Sequence, residues 1–169
     1  MIRTIFSSIV LLILFVLIET ALLSNMIILP AVPDLLLLAV LFISVYNGSL
    51  TGEITGFFSG LFLDFLSGAP MGLNCLLRTI IGFLTGLFHN TLNVNGFFIP
   101  ALLGFIATIL KAILIQIISF FFPEGIITYQ IFSTEFLTEL TLNTVLAPVI
   151  FSLLSLFSNF LIINRKQGN

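Results

Sequence analysis

Charge is the scarcest property of this sequence. Five Lys or Arg and seven Asp or Glu are spread over 169 residues, 7% of the chain, where a soluble domain carries about 25%. Hydrophobic residues make up 59%, and the mean hydropathy is +1.30. No soluble fold of this length hides so much apolar surface, so the chain reads as an all-α integral membrane protein. Five scattered basic residues form no footprint for nucleic acid. A single cysteine, Cys75, excludes an intramolecular disulfide framework; lying in an apolar run, it reads as a small buried hydrophobe. The lone histidine, His89, has no Cys, Asp or Glu at ligand spacing and is a poor metal ligand. There is no Ser-His-Asp arrangement, no phosphate-cradling loop before a helix and no paired basic cluster. No enzymatic chemistry and no cofactor are expected. The polar residues are also too few to line the hydrated path of a transporter.

What is present is apolar sequence in runs of membrane length. A spanning helix takes about 17 to 25 residues. Six such runs are predicted, at about 5–23, 34–46, 50–66, 74–88, 97–122 and 139–163, joined by short loops. They make residues 1–169 one polytopic membrane domain. The first run has Arg3 before it, like a signal peptide, but it is long and Glu19 interrupts its end, so it is expected to stay as an anchor. Pro30 and Pro33 break the chain before the second run. Asp34 then stands where a carboxylate caps a helix start. A short interfacial segment is expected over 126–138, and Pro148 is expected to kink the sixth helix.

Arg3, Arg165 and Lys166 fall on the side of both termini, while the loops of the other side hold no Lys or Arg. By the positive-inside rule the termini are cytoplasmic. Tyr46 and Tyr129 fall near the expected interfaces, as aromatic belts do.

The strongest pattern is a step of four. Gly48, Gly52, Gly56 and Gly60 repeat along the third run, and Gly82 and Gly86 repeat the step on the fourth. Residues four apart share a helix face, so the glycines leave a stripe free of side chains on which another helix backbone approaches closely. That second helix is either one of this chain's own or a partner's. The stripe ends in Asp64. Asp64 and Arg78 each stand seven residues from Met71, the expected tip of a hairpin, so they are predicted to pair as a clamp, the alternatives being a ligand or proton site, or two side chains that snorkel to the interface. Lys111, near the middle of the fifth run, needs a buried polar partner, and Glu19, Asp64 and Asn143 are the candidates; the alternative is a polar contact with another membrane protein.

Pro33-Asp34-Leu35, the glycine-stepped third span, Leu63-Asp64 and the run Ser67-Gly68-Ala69-Pro70-Met71-Gly72-Leu73-Asn74 together resemble the rod shape-determining protein MreD family. The pattern covers about residues 33–86, with Asp34, Gly52, Gly56, Gly60, Asp64, Pro70 and Gly72 as the matching positions; Arg78 is not part of it. The resemblance implies a non-enzymatic scaffold of the bacterial cell-elongation machinery in the cytoplasmic (inner) membrane. It implies as partners a bitopic MreC-like protein and, through it, an MreB-like filament and a SEDS glycosyltransferase with its transpeptidase. It also implies a fold similar to the six-helix substrate-binding subunits of energy-coupling vitamin transporters. A vitamin-binding subunit is therefore the competing function, against which stands the lack of a small-residue face on the first span.

Overall fold

The computed structural model describes residues 2–25, 31–68, 70–94, 96–121 and 133–162. Pro30, Ala69, Asn95, Glu124, Tyr129 and the basic pair Arg165 and Lys166 lie outside the described residues, as does the side chain of Arg3. The described residues form helices and no strands: α1 (Ile2–Asn25), α2 (Leu35–Asn47), α3 (Ser49–Ser67), α4 (Leu73–Leu87), α5 (Phe98–Phe121), α6 (Thr134–Ser155) and a single turn, α7 (Ser158–Leu161). Three of them, over 4–21 and along α5 and α6, are long and apolar enough to cross a membrane, and α2 and α4 are shorter apolar helices.

The second helix is the axis of the molecule. Its sequence is apolar on every side, and a helix of that kind belongs in a core. Leu36 through Ile43 are 0% exposed, and α2 is packed by α1, α3, α4, α5 and α6. At 13 residues it is about 20 Å long, too short for a hydrocarbon layer of about 30 Å. Pro33 and Asp34, the non-helical residues just before it, are buried in protein, the condition for irregular backbone at membrane depth.

Around this axis stand two hairpins, α3–α4 and α5–α6, each far more closely packed internally than against the other. The glycine stripe makes the first. A Cβ on Gly52 would strike the backbone carbonyl of Gly82, and one on Gly82 would strike that of Gly52. Gly56 lies on the Arg78 backbone, Gly60 on Asn74 and Cys75, and Gly86 on Ser49. Each step of four along α3 is matched by a step of four back along α4. The stripe is therefore filled by α4 over its whole length and is not open to a partner helix. Gly48 stands apart from it: with φ +93° it turns the chain between α2 and α3, on the side of the His89 ring. In the second hairpin Gly104, which no four-residue spacing marks, lets α5 approach α6 so closely that a Cβ there would stand 2.8 Å from the Asn143 carbonyl oxygen.

One expectation about the sixth span changes. Helix α6 begins at Thr134, inside the stretch read as interfacial, because Ser133 caps it by accepting from the Phe136 amide at 3.1 Å. Pro148 lies inside α6 without ending it; the break comes after Ser155, at Leu156–Phe157.

Gly56→Ala places a methyl group against backbone that cannot swing away. We expect a loss of about 1–3 kcal/mol, read as a lowered unfolding temperature in detergent. Phe57→Ala, on the exposed face next to it, should leave that temperature nearly unchanged.

Candidate functional site

A helix beginning inside a membrane protein exposes amide N–H groups that no water reaches. Helix α2 begins in this way, and every polar group near its first turn is organised about that fact. Asp34 is the cap: its Oδ1 accepts from the Leu37 amide at 2.8 Å. The Asp34 amide itself donates to Asn143 Oδ1 on α6 at 2.8 Å. The Leu36 amide donates to Glu19 Oε2 on α1 at 2.9 Å. Carboxylates are favourable here because the helix N-terminus carries partial positive charge.

Carboxylates alone would leave this interior strongly negative, and two cations answer them. Arg78 Nη2 on α4 donates to Asp34 Oδ1 at 2.7 Å. Lys111 Nζ on α5 donates to Asp34 Oδ2 at 2.7 Å and to Glu139 Oε1 on α6 at 2.7 Å. One carboxylate thus holds both hairpins, the first by one oxygen and the second by the other. Asn143 also donates from Nδ2 to Thr108 on α5 at 3.0 Å, and Thr108 donates to the Gly104 carbonyl at 2.8 Å. The close approach at Gly104 is what brings these two side chains together. Glu19, Asp34, Arg78, Glu139 and Asn143 are all buried, and Lys111 is nearly so.

The expected pair of Asp64 and Arg78 does not form. The hairpin is not centred on Met71: its observed register sets Arg78 against Gly56, two turns deeper than Asp64. Asp64 faces the turn instead. Its two oxygens accept from the amides of Gly72 (3.0 Å), Asn74 (3.0 Å) and Cys75 (3.1 Å) and from the Asn74 side chain (2.9 Å). Gly72, at φ 93°, has no side chain to cap α4, so Asp64 caps it from the end of the preceding helix. Pro70 accepts from the Leu73 amide at 3.1 Å and closes that turn.

The other marked residues divide as follows. Glu19, Lys111 and Asn143 do meet at one place, and the lysine there is hydrogen-bonded to Asp34 and Glu139, neither of which is among its candidates from the sequence. From the sequence Asp34 is legible only as a cap, and Glu139 stands at the start of the predicted sixth span; α6 begins earlier, at Thr134, which puts Glu139 inside the helix. His89 Nδ1 lies 2.8 Å from the Val45 carbonyl and ties the end of α4 to α2. Glu53 is exposed and Cys75 is buried.

Asp34→Ala should be the most damaging single change in the cluster. It removes the cap and leaves Arg78 and Lys111 short of an anion, at a cost of about 3–5 kcal/mol. A double-mutant cycle of Asp34→Asn with Arg78→Met should give a coupling of about 0.5–3 kcal/mol; one of Asp64→Asn with Arg78→Met should come closer to additivity.

A cluster of this kind fastens helices and holds them in register; it presents no nucleophile beside a base. It also joins the two stretches on which the family pattern rests, the Pro33-Asp34 turn and the glycine-stepped hairpin. The family model for MreD, rod shape-determining protein, matches residues 1–157. No curated protein and no solved structure matches the chain. The chain therefore belongs to the MreD family of rod shape-determining proteins and is a protein of the bacterial inner membrane.

Proposed function

We propose that the chain is a non-catalytic membrane scaffold of the cell-elongation machinery, a single membrane domain of six spans with both termini in the cytoplasm. It docks the single span of an MreC-like bitopic protein and, through it, stands with an MreB-like filament and a SEDS glycosyltransferase with its transpeptidase. The observation that carries this reading is the use made of its polar residues. The intramembrane charges on α1, α2, α4, α5 and α6 are turned inward and fasten the bundle to α2. The outward faces of α1, α5 and α6 are left apolar, with Val10, Leu14, Leu17, Ile106, Ile113, Ile117, Val145 and Val149 all exposed. A protein of this kind offers shape and a rigid apolar surface rather than reactive groups. A docked partner then meets those outward faces, since α4 occupies the glycine stripe.

Nothing favours a vitamin-binding function. A cavity of about 480 Å³ lies between α1 and the end of α6 with α7, but Ser7 is the one polar residue in its lining and it opens to the outside of the bundle.

Co-purification in mild detergent with a bitopic MreC-like protein tests the scaffold. Single tryptophans at Leu14 and Leu17 on α1, and at Ile113 and Ile117 on α5, should leave the unfolding temperature unchanged. At least one of these faces should weaken co-purification about tenfold, a change of about 1.4 kcal/mol. Absence of any co-purification, or robust turnover of a cell-wall precursor by the purified chain, would overturn the proposal.

A further inference from the structure

Among the described residues the cluster at the start of α2 holds three carboxylates, Glu19, Asp34 and Glu139, and two cations, Arg78 and Lys111. Fully ionised, it carries one uncompensated negative charge in the interior of a membrane bundle, where unpaired charge is very costly.

The contacts show which carboxylate is the least supported. Asp34 accepts from one amide and from both cations. Glu139 accepts from Lys111 at 2.7 Å. Asp64, a buried carboxylate with no cation beside it, accepts four hydrogen bonds. Glu19 accepts one, at Oε2 from the Leu36 amide. Its Oε1 has only Arg78 Nη2, 4.0 Å away, beyond hydrogen-bond reach.

Arg78 carries the second, independent observation. Its Nη1 is buried and has no hydrogen-bond partner. A guanidinium with an idle N–H beside an ionised carboxylate closes on it, commonly through both nitrogens. Here Arg78 comes no closer to Glu19 than Nη2 at 4.0 Å, and its Nη1 does not turn to the carboxylate.

We infer that the cluster binds one exchangeable proton, held on Glu19, and that this proton makes the buried core of the bundle electroneutral. Neutral Glu19 still accepts from Leu36 through Oε2 and has no claim on Arg78. A gap of this length between two polar groups is one a water fills; such a water would accept both from the Glu19 hydroxyl and from the Arg78 guanidinium. The groups facing Glu19 are Asp34 on α2, Arg78 on α4 and Lys111 on α5, with Glu139 on α6 behind Lys111. Helix α3 contributes only Glu53, exposed at its first turns, and Asp64, engaged at the α4 turn, and α7 has no titratable side chain. Loss of the proton restores the excess negative charge at the point where both hairpins are fastened to α2.

Infrared spectroscopy of the purified protein near neutral pH tests this. The wild type should show the carbonyl stretch of a neutral carboxylic acid. Glu19→Gln should lose that band and Glu139→Gln should keep it. The unfolding temperature of the wild type should fall as pH rises through the loss of the band, while that of Glu19→Gln, which keeps an oxygen for Leu36, should not respond in that range. A wild type without the band, or a band that survives Glu19→Gln, overturns the inference. If Glu19→Gln does not fold, the wild-type pH scan decides: band and stability must vanish together. Replacing sodium by choline at fixed pH separates the two monovalent cations. A stability that depends on sodium, with no acid band, assigns the site to a metal cation and overturns the proton.

Discussion

The whole bundle depends on one constraint: the first turn of α2 lies where no water can satisfy its amides. A helix start of this kind is allowed only if other parts of the chain bring acceptors to it. Glu19 on α1 and Asn143 on α6 do so, and Asp34 completes the set from within α2. Each acceptor then generates its own requirement. The carboxylates call for cations, and the cations come from α4 and α5. Four helices are thus tied to one turn of a fifth, by bonds whose loss strands a buried charge or a buried amide.

This arrangement divides labour between two kinds of packing. In the α3–α4 hairpin, adhesion comes from close backbone approach, since glycine at four successive contact levels removes whatever would hold the helices apart. Between the hairpins there is little such contact, and Asp34 links them by giving one oxygen to each. A lipid-embedded bundle gains nothing from the hydrophobic effect between helices, because lipid is as apolar as leucine. It must rely on close fit and on polar bonds, and this chain uses one for each half.

Asp64 and Asp34 are the same device at two depths. Each is a carboxylate that caps a buried or half-buried helix start, Asp64 for α4 from the previous helix and Asp34 for α2 from its own N-cap position. They differ in what neutralises them. Asp64 sits near the end of the bundle and is content with amides; Asp34 sits deep and draws two cations. The family pattern includes both aspartates, and this shared capping role is a physical reason for an acidic residue at each place.

The sequence by itself determined the class, the placing of the first five helices to within a few residues and the existence of a close-packed glycine face. These follow from local properties: apolar length, proline and glycine breaks, and a period of four that a helix turns into a stripe. It also marks Arg78 and Lys111 as residues needing partners, Glu19 and Asn143 as candidates for the lysine, and Asp34 as a helix cap. Only the tertiary structure decided who pairs with whom. Pairing depends on hairpin register, and a register centred before Met71 moved Arg78 two turns away from Asp64 and delivered it to Asp34. It depends also on which helix lies in the middle, a choice no local pattern encodes. The shortest run, apolar on every side, became the axis, because only a helix enclosed by protein can begin within the membrane, and its buried first turn then drew Glu19, Arg78 and Lys111 toward it.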